Sequence, residues 1–198
     1  MALLGLLRRN RQERTGFVLY GAAVHAARNP WFYQTLGVPD TLDGRFDLVC
    51  LHAYVLIRQL SAQPSPGPAL AQAVFDAMFS DMDVNLRELG IGDLSVGKRV
   101  RTMWEAFHGR AAAYETAMSD PVALTAAIAR NLWRGASPPA GSAEALARLL
   151  RAQDAHLAAQ IAANWAGVRA GEVSFLPPHK ASRSDPAGRC DAWQSPEP

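Results

Sequence analysis

Stop signals divide this chain more sharply than anything else in it, and they allow little besides helices. Asn29-Pro30 forbids a helix from about Phe17 to Arg28 to continue, and the same pair can start a short one through Trp31 to Leu36, closed by Gly37. The loop 38–44 is dense in turn residues, and Asp43 is positioned to cap a helix from about Arg45 to Leu60. Pro68 opens a long helix to about Leu89, with Gly90 as its left-handed stop. A further long helix spans about Ser95 to Ser119. Asp120-Pro121, a cap followed by proline at the first helical position, begins another to about Trp133, and Ser142 starts a last one to about Val168. Strand-like alternation occurs only at 173–176. The fold class is therefore all-α: one compact domain of about six or seven helices.

The 45–60 helix sets the arrangement. Phe46, Val49, Cys50, Ala53, Ile57 and Leu60 form one apolar face, Leu48, His52 and Val55 a second, and only a thin polar stripe is left at Asp47, Tyr54 and Arg58. A helix apolar on most sides is a central one. Three regions follow: an N-terminal amphipathic arm at 1–14, a helical domain at 15–176, and a tail at 177–198. The tail's Pro, Ser, Gly, Arg and Asp cannot offset the entropy of ordering it, which predicts disorder.

Charge excludes some partners. Twenty basic and eighteen acidic residues leave a formal +2, spread along the chain, so no strong field draws it to nucleic acid. Cys50 and Cys190 have neither a CxxC nor a Cys/His spacing, which fits a reducing, cytoplasmic compartment. The arm pairs Leu3, Leu4, Leu6 and Leu7 with Arg8, Arg9, Arg11 and Arg14. That is the reverse of a secretory signal's charge order, and no window approaches the ~20 apolar residues of a membrane span. The arm fits a weak anchor on an anionic membrane surface, and equally a frayed end or a helix packed on the domain.

Residues for catalysis are sparse. No two of the five histidines share a spacing of three or four residues, phosphate-binding glycine motifs are missing, and no nucleophile elbow is present, so no catalytic residue, metal or cofactor is expected. His52 is the lone acid–base candidate. It reads either as a core histidine with one hydrogen bond or, with Asp47 or Tyr54, as part of a small-ligand or haem site. The densest local signal is Asp81-Met82-Asp83 through Asp93, followed by Lys98, Arg99 and Arg101. Acids and bases gather there around Gly90 and Gly92 beside Met78, Met82 and Met103. Such adaptable apolar side chains suit a variable protein partner.

Several ordered fragments carry a resemblance: Leu19-Tyr20-Gly21-Ala22, the run 36–41 with Gly44-Arg45-Phe46-Asp47, Leu51-His52, Asp81-Met82-Asp83 with Leu86-Arg87-Glu88 and Gly90-Ile91-Gly92-Asp93, and Phe107-His108-Gly109-Arg110 with Tyr114. Over roughly residues 15 to 170 the chain resembles the ubiquinol-cytochrome c chaperone family. The resemblance implies a helical, non-enzymatic assembly factor at the cytoplasmic face of the inner membrane. Its expected partners are newly made cytochrome b, or another subunit of the cytochrome bc complex, and a small co-chaperone. The expected partner-binding residues are Asp40, Arg45, Phe46, Asp47, His52, Met82, Asp83, Arg87, Glu88, Asp93, Lys98 and Arg110, and the binding groove is expected between the 45–60, 68–89 and 95–119 helices.

Overall fold

A computed structural model describes the backbone of residues 2–178 and the side chains from Asn10 onward. The expected tail lies outside the described residues from 179 on, as do the arm's side chains at Leu3, Leu4, Leu6, Leu7, Arg8 and Arg9. Among the described residues the only regular structure is helix, in six long helices and two short turns of helix.

The first helix, α1, runs Ala2–Ala27, beginning well before the expected Phe17. Residues 2–16 contain no proline and are rich in Ala, Leu, Arg, Gln and Glu, all good helix formers, so nothing breaks the backbone between the arm and the domain. Gly16 lets this helix approach the body closely, since a Cβ there would come within 2.6 Å of the Ala73 backbone. The short α2 spans Trp31–Gln34.

Next comes α3, Leu42–Ser61, the central helix, with fourteen of its twenty residues buried. Its cap is Thr41, whose hydroxyl accepts from the Gly44 N–H, and not Asp43 as the sequence suggested. Asp43 falls inside the first turn, where its carboxylate is free to take Arg134 at 2.6 Å. Around α3 pack α4 (Gly67–Glu88), α5 (Asp93–Ala117), α6 (Pro121–Leu132) and α7 (Ser142–Ala163), together with α1. Gly90, at φ +76°, ends the α4 corner as expected, and Asp120 caps α6 through the Val122 and Ala123 N–H groups.

The expected last helix is in fact two. Asn164 leaves helical geometry at φ −143° and ψ 60°, and its side chain accepts from the Gly167 N–H to start α8, Trp165–Val168. Residues 172–177, which include the strand-like stretch, form no regular element and find no strand to pair with among the described residues. Two α7 glutamines stand in for one. Gln153 donates to the Leu176 carbonyl and accepts its N–H, both at 2.8 Å, and Gln160 does the same for Ser174.

Candidate functional site

Asp47, Tyr54 and Arg58 lie seven and four residues apart, so they share one face of α3. That stripe meets other helices instead of water. Asp47 is fully buried and accepts from Arg110 of α5 at 2.7 Å and from Arg134, just past α6, at 2.8 Å. Burial pushes its carboxyl above the usual range against the pull of both arginines. The Tyr54 hydroxyl donates to Glu115 at 2.7 Å, and Arg58 bridges Glu115 of α5 and Asp154 of α7. The seam thus clamps α5, α6 and α7 onto α3. Arg134, Glu115 and Asp154 were not singled out in the sequence, because their pairing with α3 spans 57 to 96 positions and has no local signature.

Above this seam is an open groove of about 690 Å³ between α1, α2, α3 and α4, reaching Met103 of α5. Of the expected partner-binding residues, Asp40, Arg45, Phe46, Met82 and Glu88 all line it. Its floor is Phe46, Val49 and Met82, and its rim carries Leu42 and Leu89, both more than half exposed. Arg110 lies with its guanidinium 5.7 Å from the Phe46 ring centre, so Asp47 and Arg110 fix the floor from beneath and take no part in the surface. On one wall the Tyr20 hydroxyl donates to Asp81 at 2.8 Å, and burial together with that carboxylate pushes the phenol up. On the other, Arg45 holds Asp40 at 2.6 Å and lowers its pKa. An apolar floor with a few spaced polar groups is the usual make-up of a binding site, in which the polar groups set orientation.

The remaining candidates lie elsewhere. Arg87 pairs with Asp83 at 2.6 Å and with Asp93, closing an exposed ion-pair cluster over the α4–α5 corner. Lys98 is exposed on α5. Met78, read as part of an adaptable surface, is completely buried in the core, so only Met82 and Met103 reach the groove. His52 is buried edge-on between Phe32 and Phe175 and donates from Nδ1 to the Leu48 carbonyl at 2.8 Å. Desolvation lowers its pKa to about 4, so it is neutral at physiological pH. No hydrogen bond joins it to Asp47 or Tyr54 among the described residues, whose polar atoms are engaged in the seam.

A second hollow, of about 970 Å³, opens between α3, α4 and α5, the three helices between which the binding groove was expected. It contains an aromatic cluster of Phe75, Trp104, Phe107 and His108. Phe107 is buried there, but Trp104 is 45% exposed. Among the described residues no group of three or more His, Cys, Asp or Glu side chains could hold a metal ion, and no helix is long and apolar enough to cross a membrane.

The described residues thus form a helical body with open, apolar-floored grooves over a seam of buried ion pairs. Residues 34–166 match the model of the ubiquinol-cytochrome C chaperone family, and the chain belongs to that family. The crystal structure of the Cbp3 homolog from Brucella abortus is similar with a TM-score of 0.76 and 31% identity, over 90% of this chain and 98% of that one. The Xenopus laevis ubiquinol-cytochrome-c reductase complex assembly factor 1 is 25% identical over 115 residues, 58% of each chain. Its Drosophila melanogaster namesake is 25% identical over 149 residues, 72% of this chain and 58% of its own. The chain therefore spans little more than half the length of these curated relatives.

Proposed function

We propose that this protein is an assembly chaperone of the ubiquinol-cytochrome c reductase complex, and that it holds an apolar segment of newly made cytochrome b in the groove floored by Phe46 and Met82. The family match across residues 34–166 is the observation that carries the reading. The groove's geometry supports it: exposed Leu42 and Leu89 at the rim, Met82 and Met103 within, and the seam holding the floor rigid. Binding of this kind is stoichiometric. A sheltered segment cannot pair wrongly, and it leaves when assembly offers better contacts. A small co-chaperone engages the exposed Asp83–Arg87–Asp93 corner in the same scheme, and the work is done beside the membrane that receives the client.

Deleting the gene and measuring b-type haem spectra and quinol oxidation tests the role; normal levels of both would overturn it. Restoring the gene with Met82→Glu, which puts a charge on the groove floor, should leave the protein folded and assembly impaired. A photoreactive residue placed at Leu89 should capture cytochrome b, identified by its peptides. Capture of other chains alone would exclude this client.

A further inference from the structure

Three long helices frame the groove floored by Phe46 and Met82, and each turns a face of the same length toward it. From α1 come Tyr20, Val24 and Ala27, at steps of four and three residues. From α3 come Leu42, Phe46 and Val49, again at four and three. Met82, Asn85 and Leu89, from α4 and its cap, follow at three and four. Such steps keep residues on one side of a helix, and seven residues cover about 10 Å, or two turns. The slot is thus bordered by helix surfaces whose backbone N–H and C=O groups bond within their own helices. Among the described residues no strand borders it, and backbone polar groups are open there only at helix ends and turns. An extended segment leaving water in this slot would bring two polar backbone groups per residue and find no row of partners for them. A helix bonds its own. Charge adds a second constraint. Arg45 and Asp40 hold each other, and Asp81 takes the Tyr20 hydroxyl. Arg28, next to α1, and Glu88 of α4 line the groove with no ion-pair partner among the described residues.

On the reading that this groove holds the client, we propose that the client segment lies in it as two turns of α-helix. Its apolar side chains stand at positions i, i+3, i+4 and i+7 and meet Phe46, Val49 and Met82. An acid at one edge of that stripe answers Arg28, and a base at the other answers Glu88. Ridges of the segment enter the spaces between wall side chains three and four apart, as helices pack on helices. Met82 and Met103 adapt to different side chains on the stripe, so the slot selects a spacing and not one sequence. A segment whose apolar residues alternate scatters them around a helix, and as a strand it leaves its backbone unpaired; either way it is refused.

The test is fluorescence anisotropy of the full-length protein with three labelled synthetic peptides of about sixteen residues, short enough to be only marginally helical when free. The first spaces its leucines at i, i+3, i+4 and i+7, with a glutamate at one edge and a lysine at the other. The second has the same residues with the leucines alternating, and the third is the first with a central proline. The first peptide should bind about tenfold tighter than either other, and its helical circular dichroism should rise on binding. Leu42→Glu and Leu89→Glu, both at exposed positions, should each weaken it by about tenfold while leaving the thermal melt unchanged. Arg28→Glu should reverse the preference between the first peptide and a version with its glutamate replaced by lysine. Three results would overturn the proposal: no binding of the first peptide, equal binding of the alternating or proline peptide, or binding undiminished in both leucine variants. The peptides carry no client sequence. Normal assembly in the deletion strain with the peptide preference intact would therefore remove the chaperone role and leave the helical occupant standing, and the reverse pair of results would remove the helix alone.

Discussion

Asp47 of α3 and Asp83 of α4 are both aspartates beside arginines at comparable distances, yet they serve opposite purposes. Asp47 has no exposed surface and ties Arg110 and Arg134, drawn from distant parts of the chain, to the central helix. Asp83 meets Arg87 one turn further along its own helix, in water. The first pair fixes how helices are arranged; the second leaves that arrangement alone and decorates a corner. Burial makes the difference, because a charge already out of water cannot recover solvation when its partner is removed. A buried pair is thus costly to break without being a large net source of stability, while an exposed pair is cheap to make and cheap to lose.

The sharpest way to break the comparison is Asp47→Ala. It strands Arg110, whose side chain is only 12% exposed, and should cost about 3–5 kcal/mol by urea denaturation. Replacing Asp47 with Leu and Arg110 with Met together should recover most of that loss, since no buried charge then lacks a partner. Recovery smaller than about 1 kcal/mol would mean that the pair itself, and not the stranded charge, sets the cost. His52 extends the argument to a group without any charged partner. Its pKa falls from 6.5 unfolded to about 4 folded, so below pH 6.5 the unfolded chain takes up a proton that the native one refuses. His52 stabilisation is thus complete above pH 6.5 and is lost on descending to pH 4, by about 3 kcal/mol in all. His52→Phe should flatten this part of the pH–stability curve, and an unchanged slope would show that other groups create it.

The same distinction explains what could be read from the sequence. Helix order followed from prolines, glycines and caps, because those signals act within a few residues. For the α3 cap the sequence pointed to Asp43, but Thr41 takes that place and Asp43 pairs instead with Arg134, ninety-one positions away, a partner no local signal announces. The early start of α1 was missed for want of a stop signal, and the break at Asn164 because an asparagine inside a helical pattern is ambiguous until its side chain finds the Gly167 N–H. Five of the expected partner-binding residues do converge on one groove. Asp47 and Arg110 lie beneath it, since periodicity marks a polar stripe on a helix without saying whether water or another helix faces it.

Intermediate burial should give an intermediate effect. Arg58 is about one-third exposed and bridges Glu115 and Asp154, so Arg58→Ala should cost about 1–2 kcal/mol, well below the loss for Asp47→Ala. A cost as large as that of Asp47→Ala would show that partner number outweighs burial.

At the exposed end, Arg87→Ala removes both bonds of the corner cluster, and the unfolding midpoint should move by no more than about one degree. The sign of its pH dependence is nonetheless fixed. Arg87 lowers the Asp83 pKa below its ordinary 3.8, so the native state holds the carboxylate ionised where the unfolded state protonates it. The stabilisation is present above pH 3.8 and is lost as pH falls through the lower native value. The small advantage of wild type over Arg87→Ala, followed by thermal melts in low salt, should therefore vanish on acidification below pH 3.8, and equally at pH 7 on adding about 0.5 M salt. The Asp47→Ala deficit, sheltered from ions, should survive the same salt. If salt erased both, screening would reach the centre of the molecule, and α3's polar stripe would have to be a wet seam.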